Sequence, residues 1–371
     1  MSSRIAFISY PRSGPVAPNN RLYITNADGS GRLLLTRQAW QELSWSPDGR
    51  KIAFLSARDR NSEIYVVRAD GGAERRLTRS AAAEFFPQWS PDGRKIAFGS
   101  LRDGSSEIYV MNADGRGRRL LTPDGQDPYW LPGGRQIAFT RIPAGPGSFE
   151  FYVINADGRG ERNLTREWGI DNGPSWSPEG RKIAFGSSRD GNPEIYVMNA
   201  DGSGLRRLTR NAAADIDHAW SPGGRRMAFV REGGGTSAIY VMNADGSGQR
   251  RLARNARHPL WSPDGWTIAF ASRRDGNWEI YVMNADGSGQ RNLTRTPTSN
   301  EEVHFAWSPA RKLGTGFRPH DRKSNLLAWD ELESDEAISF AASRPLRRYV
   351  HPHRANLAPR ELPIRCLHRR E

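Results

Sequence analysis

The sequence predicts an all-β fold. Its form is a seven-bladed β-propeller of four-stranded antiparallel blades, closed by the N-terminal three strands plus one C-terminal strand, with an irregular, partly helical C-terminal tail. Three observations predict it. A phrase recurs along almost the whole chain, in its fullest form WSPEGRKIAFGSSRDGNPEIYVMNADGSGLRRLTR from Trp176 to Arg210. Each copy divides into four short β-prone runs. The first and last copies are incomplete in complementary ways.

The period comes first, because repeats of this length mark propellers and solenoids. The anchor tryptophans stand at 45, 89, 130, 176, 220, 261 and 307, spaced 44, 41, 46, 44, 41 and 46. The spacing repeats after three units, so a longer period of 131 residues overlies the short one. Ala81, Ala82 and Ala83 recur as Ala212, Ala213 and Ala214, and Pro128 recurs as Pro259. A three-unit block was duplicated.

Within a unit, Trp89-Ser90 ends a short apolar run that Pro91 stops, since proline fixes φ and removes a donor. Asp92-Gly93 follows, and such a pair between β-prone runs signals a hairpin with φ > 0 at both positions. Lys95-Ile96-Ala97-Phe98 is the second strand and Glu107-Ile108-Tyr109-Val110-Met111 the third, rich in β-branched and aromatic residues. Asn112-Ala113-Asp114-Gly115 turns into a short fourth strand, Arg118 to Thr122. The middle strands are apolar on both faces, which requires cover on both. Blades stacked radially supply it. The small residue between Ile and Phe (Ala53, Ala97, Ala138, Ala184, Ala228, Ala269) suits close approach of the next blade. The chain begins inside a second strand, Arg4-Ile5-Ala6-Phe7, and the repeat ends on a lone first strand, Val303 to Pro309. Pairing of the two completes the seventh blade and removes free sheet edges.

Residues 1–309 thus form the propeller and 310–371 a basic tail. The tail holds 13 basic and 8 acidic residues, includes one helical pattern over 324–343, and otherwise has the composition of a poorly ordered segment. The net charge is +13 with a pI near 10.3. That balance invites a nucleic-acid reading. The arginines argue against specific nucleic-acid binding: they concentrate in the fourth strands, as in Arg75, Arg76, Arg118, Arg119, Arg206, Arg207, Arg250 and Arg251, spread round a rim where charge guards an exposed edge. One cysteine, Cys366, excludes an internal disulfide framework. No apolar run reaches the ~20 residues of a membrane span, and the first residues have no signal-peptide core. The reading is a cytoplasmic monomer, or a periplasmic one if a signal lies upstream.

The strings WSPDGRKIAF, RDGNxEIYVMNADGSG and RRLTR resemble the repeat of the TolB family. Similar repeats form the N-terminal propeller of dipeptidyl-peptidase and prolyl-oligopeptidase-type enzymes. The resemblance spans residues 4–309 and implies a propeller with a protein partner. A TolB protein resembles a six-bladed ring behind a separate N-terminal domain and a secretion signal; this sequence shows neither of these, and seven units. An oligopeptidase-type enzyme needs a nucleophile elbow, G-x-S-x-G, and the sequence has none.

Candidate binding residues follow from topology. The residues three to six positions before each Trp ring one mouth of the channel: Glu42, Glu84, Asp124, Asp127, Asp171, Asp215, Asp217, His258, Glu301, Glu302 and His304. Six of seven blades contribute a carboxylate. The functional reading is an acidic mouth for a cation, a basic peptide or another polar ligand. The structural reading is that these carboxylates accept hydrogen bonds from loop amides and recur because the repeat was copied; the spacing of Glu84, Asp171, Asp215 and Glu302, all five before Trp, favours it. His218, His258 and His304 fall in consecutive blades and are candidate ligands of a divalent cation. Trp40, Trp168, Trp266 and Trp278 break the repeat and are candidate surface aromatics. The leading function is a non-catalytic scaffold binding a protein or peptide, with no cofactor. The alternatives are a metal-assisted lyase or hydrolase at the mouth and an accessory propeller detached from a peptidase-type enzyme.

Overall fold

The computed structural model describes residues 3–10, 20–40, 42–59, 61–102, 104–142, 149–165, 171–295 and 304–310. The tail, with its expected helix over 324–343, lies outside the described residues, as do Trp168, Glu301 and Glu302. Among the described residues there are seven four-stranded antiparallel sheets and no helix. We number the blades 1 to 6 by the tryptophans 45, 89, 130, 176, 220 and 261, and call the composite blade 7.

Blade 7 closes as the sequence predicts. Phe305–Trp307 pairs antiparallel with Arg4–Ser9, placing Ile5 opposite Trp307 and Phe7 opposite Phe305. The Ile8 N–H donates to the His304 carbonyl and the Ser308 N–H to the Arg4 carbonyl, both across the junction. Arg21–Asn26 and Leu33–Thr36 complete the sheet. First strands of neighbouring blades touch one another (4 and 5, 5 and 6, 1 and 2, 7 and 1 among them), so they form the inner wall of the ring.

The two-sided burial has a simple origin. In Ile-Ala-Phe the period of two sends Ala to one face and Ile and Phe to the other. Ala53 of blade 1 packs with Trp89, Ile96 and Phe98 of blade 2. Ala97 packs with Trp130, Ile137 and Phe139 of blade 3, and Ala269 with Ile5, Phe7 and Trp307 of blade 7. Each hydrophobic cluster is therefore an interface between two blades, and the core is a ring of seven such interfaces. Indole N–H groups add a directional link. Trp45, Trp130, Trp220, Trp261 and Trp307 each donate to the carbonyl just before the tryptophan of the preceding blade, at 3.0–3.2 Å.

Two expectations need correction. The Asp-Gly hairpins have positive φ only at glycine (Gly49 64°, Gly93 69°, Gly265 72°), not at Asp. The Pro47 ring sets the turn, the Gly49 N–H closes it on the Ser46 carbonyl, and Asp48 Oδ1 accepts from the Ser46 hydroxyl and the Arg50 N–H. Nor are the fourth-strand arginines mere edge guards. Arg75, Arg119, Arg250 and Arg291 each reach carbonyls in the Asn-Ala-Asp-Gly turn of the next blade, as in Arg250 to Asp286 O at 2.8 Å and Arg291 to Asp28 O at 2.9 Å. Their neighbours Arg76 and Arg207 pair with the buried Glu63 and Glu194, each at 2.9 Å. Part of the positive charge at the rim thus holds blades together, and part neutralises buried acids within a blade.

Candidate functional site

A local distortion builds the site. In six of seven blades the residue three before Trp lies in the left-handed region: Glu42 (φ 53°), Phe86 (48°), Asp127 (51°), Gly173 (58°), Asp217 (53°) and His258 (53°). In blades 2 to 6 the ladder slips at this point, for example between Phe85 and Gln88 and between Ile216 and Ala219. In these five blades the innermost strand thus carries a bulge that re-aims one side chain. Five of the six residues are not glycine, so the ring holds this conformation against a cost of about 1–2 kcal/mol apiece. The sequence signal was available but unread: Pro87, Pro128, Pro174 and Pro259 stand two before Trp, and proline within a strand marks a bulge or an edge.

The bulge residues link blade to blade. Glu42 Oε2 accepts from the Phe86 N–H at 2.5 Å, joining blades 1 and 2. Asp217 Oδ2 lies 3.1 Å from His258 Nδ1, joining blades 5 and 6. The other Asp217 oxygen, Oδ1, is buried with no hydrogen-bond partner among the described residues. Asp127 is buried and accepts from the Thr140 hydroxyl at 3.3 Å. His304 is half-buried, edge-on to Tyr10 with ring centroids 6.1 Å apart. These residues form a belt on the inner wall.

The acids five before Trp do something else, and the structure corrects their assignment. Both Asp215 oxygens accept from Arg231 at 2.7 Å, and Oδ2 also accepts from Asn211 at 2.8 Å. Glu84 pairs with Arg118 at 2.9 Å. Both carboxylates are fully buried within their own blades. Their arginines in turn lie over the Tyr of a cross-strand Phe–Tyr pair, Arg118 on Tyr109 at 4.2 Å and Arg231 on Tyr240 at 4.6 Å. Glu84 and Asp215 are structural anchors and not mouth residues. Asp171 lies in the first strand of blade 4, with its side chain outside what is described, and Glu302 falls outside the described residues altogether.

Burial pushes the Glu84 carboxyl up to about 7, against the pull of Arg118. A raised carboxyl binds its proton more tightly in the folded chain than in the unfolded one. Its contribution is complete below the unfolded value near 4.5 and is lost as pH rises through about 7. Glu84→Gln should therefore flatten the fall in melting temperature between about pH 5 and pH 8. An undiminished fall in the variant would remove Glu84 from the account.

The proposed histidine trio is not assembled. The His218 ring is buried against blade 4 and bonds the Ala184 backbone, while His258 faces Asp217. Among the described residues no three His, Cys, Asp or Glu side chains come together in a metal-holding group. Of the surface aromatics, Trp266 is 76% exposed, whereas Trp278 packs against the cluster between blades 6 and 7 under the Arg273 guanidinium, and Trp40 is half-buried.

The family model described as the TolB beta propeller domain matches residues 1–140, 125–217, 172–260 and 210–313. These matches span most of the chain. The chain belongs to the TolB β-propeller family. A stretch of this TolB-type propeller is 40% identical over 67 residues to the Tol-Pal system protein TolB of Thioalkalivibrio sulfidiphilus, covering 18% of this chain and 15% of that protein. The crystal structure of TolB from Acinetobacter baumannii superposes with a TM-score of 0.56 at 22% identity, over 83% of this chain and 67% of that one. Puromycin hydrolase superposes with a TM-score of 0.65 at 16% identity, over 80% of this chain and 53% of the hydrolase. At those identities the two structures attest the fold alone. The TolB-type propeller described above is a seven-bladed ring.

Proposed function

We propose that this TolB-type propeller is a non-catalytic scaffold that binds a protein or peptide through the mouth lined by the bulge residues. One observation carries the reading. The same left-handed backbone recurs round the inner wall, yet the residue it presents is not constant: Glu42, Phe86, Asp127, Gly173, Asp217 and His258. A repeat copied only for structure would keep one residue there, as it keeps Trp three positions later. Constant backbone with varied chemistry is how a rigid scaffold displays a recognition surface. Three of the six residues are carboxylates, which favours a basic or hydrogen-bond-donating segment of the partner, although each is largely covered by its neighbours (Glu42 5% and Asp127 2% exposed, the Asp217 side chain 3%).

The test is co-purification followed by mass spectrometry, comparing the parent chain with a Glu42→Gln, Asp127→Asn, Asp217→Asn variant. Asparagine tolerates the left-handed conformation, so the ring is preserved. The expected result is loss of a specific partner from a variant that still folds. Recovery of the same partners in the same amounts would refute the mouth as the binding site.

A further inference from the structure

The chain contains fourteen Asp-Gly pairs, and both residues are described in thirteen of them. Glycine has no side chain to hinder its own nitrogen, so each pair is chemically open to isomerisation of the aspartate. The fold closes twelve of them. In these the glycine takes a positive φ and its N–H donates to the carbonyl three residues back, as in Gly29 to Asn26, Gly49 to Ser46 and Gly276 to Arg273. The carboxylate is held as well. In ten pairs it accepts from the amide two residues on, such as Asp28 from Ser30 at 2.9 Å and Asp92 from Arg94 at 3.0 Å. In the other two, Asp190 and Asp275 accept from the hydroxyls of Tyr196 and Tyr281.

Asp124-Gly125 is the exception in each respect. It lies between the fourth strand of blade 2, Arg119–Thr122, and the first strand of blade 3, Gln126–Trp130. Here the aspartate takes the positive φ, 55°, and the glycine does not. Among the described residues the Gly125 N–H donates no hydrogen bond, and the Asp124 carboxylate has no hydrogen bond or ion pair. Asp124 is exposed. Packing requires the glycine, because a Cβ at 125 would stand 2.7 Å from Ile108 Cδ1 and 3.0 Å from Phe139 Cδ2. Arg141 Nε donates to the Asp124 carbonyl at 3.3 Å, and Nη2 donates to the Pro123 carbonyl at 3.1 Å. A guanidinium on the Asp124 carbonyl draws electrons from the peptide group and acidifies the Gly125 N–H.

We propose that Asp124 is a site of spontaneous isoaspartate formation in the folded protein. The Gly125 nitrogen bonds to Asp124 Cγ and closes a succinimide ring, the amide proton and the carboxyl hydroxyl leaving as water. Water then adds at the Asp124 backbone carbonyl carbon and breaks its bond to the Gly125 nitrogen. The main chain now runs through Cβ and Cγ, and the former backbone carbonyl has become the free carboxylate. One water leaves and one enters, so the mass is unchanged. The connection into the first strand of blade 3 gains one backbone atom, three residues before Asp127.

The test ages the full chain in neutral buffer and digests it with trypsin; electron-transfer fragmentation then distinguishes aspartyl from isoaspartyl residues in each peptide. The twelve turn pairs are internal controls. Two hydrogen bonds must open before a turn pair reacts, so isoaspartate should accumulate at Asp124 about tenfold faster than at any of them. In chain aged in urea the advantage should vanish, because there every pair is released. Equal rates at Asp124 and the turn pairs in the folded chain, faster reaction at a turn pair, or an advantage for Asp124 that persists in urea would each overturn the proposal.

Discussion

Trp307→Ala is expected to lower the stability of the propeller by about 3–5 kcal/mol, the largest effect of any single substitution in the ring. Trp307 is 2% exposed and lies in the cluster shared by blades 6 and 7, with Leu260, Phe305, Ile5 and Ala269. Its truncation leaves a cavity the size of an indole and strands the Leu260 carbonyl, which now accepts its N–H at 3.0 Å. Every other blade would lose packing from such a change but keep a continuous chain through its four strands. Blade 7 has no such tie, because Phe305–Trp307 joins Arg4–Ser9 by hydrogen bonds and packing alone. The same change at the exposed Trp266 should stay within about 0.5 kcal/mol. Thermal and urea unfolding of the two variants side by side measure the contrast. Similar stability for both would mean that the junction carries little of the ring's cohesion.

The second large effect concerns acid. Burial drives the His218 imidazole down to about 4 from an ordinary value of 6.5, because the charged ring would sit in the interface between blades 4 and 5. The sign follows from proton counting. Between those values the unfolded chain binds a proton that the folded chain refuses, so stability rises with pH across the window and is lost as pH falls from about 6.5 toward about 4. The loss is on the order of 3 kcal/mol. His218→Gln keeps a donor for the Ala184 carbonyl and removes the titration. Its melting temperature should fall less than that of the parent chain between about pH 7 and pH 4.5. The Glu84 effect runs the other way over an overlapping window, from about 4.5 to about 7, so in the parent chain the two slopes offset each other between about pH 4.5 and pH 6.5 and each single variant exposes the other. An equal fall in parent and variant would show that His218 does not titrate within the fold.

The ring was legible in the sequence because its determinants are local and repeated. Seven tryptophans set the period, Ile-Ala-Phe set the two-sided burial, and the truncated first and last units set the closure. The site was less legible, because the bulges are a backbone feature that the residue types announce only indirectly. Glu84 and Asp217 looked alike in sequence as carboxylates just before Trp. Two residues of spacing and one slip of the ladder send Glu84 to Arg118 within its own blade and Asp217 to His258 across blades. His218 and His258 were separated by the same slip. A proline two before Trp in four blades was the clue, and His218 occupies that place in blade 5. The arginine stacks are harder to read for another reason: in blade 2 the capping Arg118 stands just before the fourth strand, while in blades 4 and 6 Arg189 and Arg274 stand in the loop after the second.

The mouth presupposes a closed ring, so hydrogen exchange at the junction is the most direct test. Amides of Arg4–Ser9 and Phe305–Ser308 should exchange slowly and be released together on mild destabilisation, at a rate matching the strands inside blade 1. Fast exchange of Phe305–Ser308 while Arg4–Ser9 stays protected, or the reverse, would contradict the shared blade and with it the seven-part mouth.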